Sequence, residues 1–149
     1  MCSGALFGMG ETWEDRLDLA LELRDVGADV VPINFLIPIE GTPLAHHSEP
    51  IDPVECLKII ALYRFLLPRQ EIKVAGGREL SLRDLQSWIF LAGADGLMIG
   101  NYLTTCGRPA DEDLQMIRDL GLTLREYQRK DRPQTEPECT RVDLPHAAI

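Results

Sequence analysis

Apolar residues in this chain fall in short continuous runs, and longer stretches of helical periodicity alternate with them. Cys2 to Phe7 is a small, apolar run that leads into Gly8-Met9-Gly10-Glu11. Thr12, with Asp15 three residues on, then carries the signature of a helix start. In the helix that follows, Leu17, Leu19, Ala20, Leu21, Leu23 and Val26 form a broad apolar face. Glu14, Asp15, Arg16, Asp18, Glu22 and Arg24 form the expected wet face, and Gly27 is placed to terminate the helix. Val30 to Phe35 reads as a buried strand. The stretch from Ile37 to Pro53 holds four prolines and Gly41, so it is expected to be a long loop, and Asp52 before Pro53 announces the next helix, Val54 to Leu67, which stops at Pro68. Glu71 to Ala75 is a short strand ending at Gly76-Gly77. Ser81 is expected to cap a helix running to about Ala92, Leu97 to Ile99 is a further strand, and Ala110 to Leu120 is a last helix closed by Gly121.

Strand followed by helix therefore recurs four times. The strands read as short, continuous apolar runs rather than alternating ones, the pattern expected of strands covered on both faces. Repeated units of this kind with right-handed crossovers build either a doubly wound sheet or a (β/α)8 barrel, of which four units are half. In a barrel the chemistry sits at the C-terminal ends of the strands, here the segments after residues 6, 34, 75 and 99.

Composition narrows the function. With 149 residues and 45% hydrophobic content the chain fits a single domain with a sizeable core. A formal net charge of −9 opposes attraction to nucleic acid or to an anionic membrane. No apolar run approaches the roughly 20 residues that cross a bilayer, which leads to the expectation of a cytoplasmic protein. Cys2, Cys56, Cys106 and Cys139 form no CxxC pair and no zinc spacing and are expected to be lone thiols. His46, His47 and His146 lie in a loop and in the tail. From about Arg129 the chain turns polar and proline-containing, so a frayed tail is expected.

Five segments at the strand ends are more specific. They are Cys2-Ser3-Gly4-Ala5-Leu6-Phe7-Gly8-Met9-Gly10-Glu11, Val31-Pro32-Ile33-Asn34-Phe35-Leu36, Gly41-Thr42-Pro43-Leu44, Ala75-Gly76-Gly77-Arg78-Glu79 and Asn101-Tyr102-Leu103-Thr104-Thr105. In this order and spacing they resemble the biotin synthases of the radical S-adenosylmethionine superfamily. The resemblance implies an α/β fold, the C-terminal half of a (β/α)8 TIM-type barrel with about four parallel βα units over residues 1–125. Residues 126–149 would form a polar tail. It implies a sulfurtransferase in which S-adenosylmethionine is cleaved at a [4Fe-4S] cluster held by CxxxCxxC, and a second cluster, usually [2Fe-2S], serves as sulfur source for the conversion of dethiobiotin to biotin. The chain contains no CxxxCxxC, so by this resemblance it begins about halfway through the barrel, and alone it is expected to be inactive. Flavodoxin or ferredoxin as electron donor and a homodimer are the partners implied.

The resemblance also assigns residues. Cys2 corresponds to a thiolate ligand of the second cluster, which the missing half would share. Lys73 stands where many relatives carry an arginine ligand; a lysine ligates only after losing its proton, so a cationic neighbour of the cluster is the competing role. Leu6, Gly8 and Met9 would line the adenine of S-adenosylmethionine. Asn34 would hold the ureido ring of dethiobiotin, and Thr104 and Thr105 its carboxylate. Arg78 is expected to pair with Glu79 or another acid. The alternatives are another radical enzyme sharing this barrel half and a non-catalytic half barrel or interaction module.

Overall fold

The computed structural model describes residues 1–45, 51–102 and 106–125, so Thr104, Thr105, the histidines and the tail lie outside the described residues. The chain divides into two compact units, Met1–Met98 and the part from Ile99 onward. The first unit holds a four-stranded parallel sheet, β1 (Ala5–Phe7), β2 (Val30–Phe35), β3 (Glu71–Val74) and β4 (Gly96–Leu97), in the order β1-β2-β3-β4. Between them lie α1 (Trp13–Asp25), α2 (Pro53–Leu66), α3 (Arg78–Leu82), a 3-10 turn at Arg83–Leu85, and α4 (Trp88–Ala92). The second unit contains α5 (Ala110–Asp119).

The helix starts follow from local chemistry. Thr12 Oγ1 accepts from the Asp15 backbone at 3.2 Å while the Asp15 carboxylate accepts from the Thr12 backbone at 2.8 Å, a reciprocal cap. Asp52 accepts from Val54 N at 2.9 Å, with Pro53 in the first helical position.

Alternation in the strands sorts the two faces of the sheet. Ala5, Phe7, Val31, Ile33, Phe35, Ile72 and Val74 are buried, against Ala20 and Leu23 of α1, Cys56, Ile59, Ile60 and Tyr63 of α2, and Leu82 and Ile89. Phe7 meets Tyr63 edge-on at 5.3 Å between ring centres. The residues between them in sequence, Leu6, Val30, Pro32, Asn34, Glu71 and Lys73, are exposed or half-buried. One face thus carries the helices and the other is open, rather than both being covered as the apolar runs suggest. A doubly wound sheet reverses its strand order and packs helices on both faces; a sequential parallel order with helices on one face is a segment of a barrel wall. The fold is half of a (β/α)8 barrel.

The start of β3 and β4 is held by one side chain. Arg64, near the end of α2, donates to the carbonyls of Gly93 (2.8 Å), Leu67 (3.1 Å) and Gln70 (3.0 Å) and pairs with Asp95, whose carboxylate also accepts from Ile72 N at 2.7 Å.

Three expectations need correction. Ser81 does not cap a helix: it lies buried inside α3, which starts at Arg78 directly after a left-handed Gly77. The stretch to Ala92 is consequently two five-residue helices with a 3-10 turn between them. Arg16 is not on the wet face of α1 but 5% exposed, because two carboxylates meet its guanidinium. Cys106 is disulfide-bonded, so the expectation of four lone thiols does not hold.

Candidate functional site

Strand register places the candidate residues on the open face in successive levels. Cys2 forms an isolated parallel bridge with Val30, which pairs with Glu71; Lys73 lies one level higher, opposite Pro32 and Gly96; Leu6 and Asn34 pair one level above that. Counting back from Leu6 through Gly4, alternation puts Cys2 on the same face as Leu6. The Cys2 thiol is free and exposed. Lys73 Nζ lies 3.4 Å from Glu71 Oε1, with both side chains nearly half exposed, so this is a solvated ion pair of small energetic weight. Among the described residues no group of three or more His, Cys, Asp or Glu side chains could by itself hold a metal ion.

Asn34 is fixed between β1 and the turn after β3. Its Nδ2 donates to the Ala5 carbonyl at 3.3 Å, and its Oδ1 accepts from Gly76 N at 2.9 Å. The primary amide retains one N–H and one lone pair for a further partner, with the plane of the group already set. Asn34→Ala is expected to lower stability by about 1–2 kcal/mol through loss of both hydrogen bonds, read as a shift in the urea midpoint at unchanged slope.

The turn after β1 is held from below by a carboxylate. Both oxygens of Glu11 lie 3.0 Å from Gly8 N, and Oε2 accepts from Met9 N at 2.8 Å. Arg16 donates to Glu11 through Nε (3.0 Å), with Nη2 2.9 Å from the same oxygen in an ion pair, and donates through Nη1 to Glu55 of α2 at 2.6 Å. Its guanidinium lies 4.6 Å from the ring centre of Trp13. Burial opposes ionisation of Glu11, but the backbone N–H groups of Gly8, Glu11 and Met9 together with Arg16 outweigh it and hold the carboxyl below its ordinary value. Gly8 takes φ +99°, and Leu6 and Met9 present exposed apolar surface beside it. The sequence reading quoted Glu11 within a motif without a role, placed Arg16 in solvent and missed Glu55. The signal available was local: a carboxylate three residues after a turn glycine, and an arginine one helical turn into α1.

The remaining side chains separate from the open face. Arg78 is fully buried, pairs with Glu79 at 3.4 Å and donates to Gln86. Cys56 is buried in α2, where desolvation and then the nearby Glu55 and Asp52 push its thiol up to about 12; it is an inert core sulfur.

The model of the biotin and thiamin synthesis associated domain matches residues 32–123. The chain belongs to that family. Within it, the biotin synthase of Geobacter sulfurreducens is 60% identical over 126 residues, covering 85% of this chain and 38% of the relative. That of Geobacter metallireducens is 61% identical over 124 residues, 83% of this chain and 37% of the relative. The chain thus spans less than two fifths of the length of these curated relatives, an extent that fits the C-terminal part of a biotin synthase barrel. Among solved structures, the tryptophan synthase alpha chain from Legionella pneumophila subsp. pneumophila superposes with a TM-score of 0.56 at 22% identity, covering 82% of this chain and 49% of that one. At that identity the likeness shows the fold alone, and it is to half of a TIM barrel. No described helix of this biotin and thiamin synthesis associated chain is long and apolar enough to cross a membrane.

Proposed function

We propose that this chain is the C-terminal half barrel of a biotin synthase, which in the full-length enzyme takes part in S-adenosylmethionine-dependent insertion of sulfur into dethiobiotin. The single observation that carries the proposal is the shared open face. Cys2, Lys73, Asn34 and Leu6 stand on adjacent levels of one parallel sheet segment, on the side a closed barrel turns inward.

Each residue then has a task. An exposed thiol on that face suits iron as a soft ligand, and a lone cysteine fits a ligand set completed by side chains from the other half of the barrel. When bound, the second cluster supplies the sulfur. Lys73 is held toward Glu71 and serves as a cation beside the cluster site. Asn34 offers its remaining N–H and lone pair to a urea-like ring, matching one acceptor and one donor. Leu6 and Met9 provide apolar surface for an adenine, beside the bent backbone at Gly8. Thr104 and Thr105 would take the substrate carboxylate. The partners this reading entails are dethiobiotin, S-adenosylmethionine, an electron donor such as flavodoxin or ferredoxin, and a second copy of the enzyme.

The test is anaerobic reconstitution of the full-length enzyme with and without Cys2→Ala. The variant is expected to lose the iron and sulfide of the second cluster, retain those of the first, and form no biotin. Iron, sulfide and biotin yields equal to those of the unmodified enzyme would overturn the assignment.

A further inference from the structure

We infer that Glu55, on α2, is a positioning residue for the cofactor-binding turn after β1, acting through Arg16 and Glu11; the inference rests on the proposed role of Gly8 and Met9 as part of an adenine wall. Glu55 sits 39 residues from Arg16 in sequence and belongs to a different helix, yet its Oε1 takes the shortest of the hydrogen bonds that Arg16 makes, 2.6 Å from Nη1. The other edge of the same guanidinium is committed to Glu11 Oε1 through Nε and Nη2. Glu11 in turn accepts the N–H groups of Gly8 and Met9. The chain of contacts is continuous from the first turn of α2 to the two backbone amides that begin the turn.

Rigid geometry makes this more than a fold contact. A guanidinium is planar, so a carboxylate bound at one edge sets the orientation of the other edge. Stacking on Trp13 and 5% exposure leave Arg16 no alternative arrangement in solvent. Glu11 uses both oxygens on the turn, so a tilt of the guanidinium changes how Gly8 and Met9 are held. The carboxylate of Glu55 is itself 38% exposed, so its loss removes an orienting contact without opening the core. The hydrogen bonds run from Glu55 to Arg16, from Arg16 to Glu11 and from Glu11 to Gly8 and Met9, so Glu55 acts on the turn through the two intermediate side chains.

The experiment follows the backbone amide signals of Gly8 and Met9 in the ¹⁵N-labelled 149-residue chain without ligand, and S-adenosylmethionine binding to the full-length enzyme, for the unmodified protein, Glu55→Gln and Glu55→Asp. Without ligand, Glu55→Gln is expected to move the Gly8 and Met9 signals while those of β2 and β3 stay in place. With ligand it is expected to weaken binding about tenfold, with Glu55→Asp, which keeps the charge, recovering part of the loss. A merely structural contact would instead lower the unfolding midpoint and leave both amides and affinity unchanged, which would overturn the inference while the adenine wall stood. S-adenosylmethionine affinity of the full-length enzyme left unchanged by Leu6→Ser and by Met9→Ser would remove the wall, and this inference with it.

Discussion

Gly77→Ala is expected to destabilise the chain by about 4 kcal/mol, at the upper end of what a single substitution does. Two causes add. Gly77 has φ +81°, a left-handed conformation that costs a residue with a Cβ roughly 1–2 kcal/mol. A Cβ built there would also stand 2.0 Å from the Phe35 carbonyl oxygen and 2.8 Å from its carbon, both backbone atoms of the neighbouring strand. Relief requires β2 and the turn after β3 to part. That seam carries the Phe35 N to Gly76 O bond at 2.8 Å and the Asn34 to Gly76 bond at 2.9 Å. Gly27 is the control, with φ +72° and nothing within 4 Å of its added Cβ. Gly27→Ala should therefore show the conformational cost alone, about 1 kcal/mol. Urea unfolding followed by circular dichroism separates the two, and equal midpoints for both variants would show that the close approach to Phe35 costs nothing.

Arg16→Met is expected to cost about 3 kcal/mol, because it leaves two carboxylates facing each other across a space that a cation had filled. The guanidinium side chain is 6% exposed and Glu11 15%, so their pairing is little screened; Glu55, at 38%, can turn to solvent and limits the loss. Arg16→Lys should recover only part of the stability. One ammonium cannot bind the two carboxylates at both edges, as the guanidinium lying over Trp13 does. Equilibrium unfolding at neutral pH reads this series, and a lysine variant as stable as the original would show that charge alone, not the planar fork, holds the network.

Sequence and structure agree where local chemistry decides the outcome. Thr12 with Asp15, and Asp52 with Pro53, announce α1 and α2 because a cap forms within a few residues of its own helix. Val30 to Phe35 is legible as a strand because its residues are apolar and β-favouring apart from Pro32 and Asn34. The third crossover was misread for the opposite reason. Ser81 resembles a cap in isolation, but the left-handed Gly77 has already started a helix, and Arg83, at φ +48°, breaks it after five residues. Arg16 looks solvent-bound in a helical projection, since nothing in α1 reveals that Glu55, far along the chain, will neutralise it. The motifs around Cys2, Asn34 and Lys73 marked the positions of interest through family resemblance. The folded chain supplies their register, and it shows that the amide of Asn34 is already half spent on β1 and the turn after β3.

Arg64 divides the wall into two regimes. By gathering three carbonyls and Asp95 beneath β3 and β4, it anchors the foot of these staves, while Asn34, Gly76 and the Gly8 turn lie at the opposite rim. Substitutions of rim side chains outside the seam at Asn34 and Gly77 can therefore reshape what is recognised there without loosening the base. A fold partitioned in this way lets one scaffold drift toward new ligands while keeping its architecture.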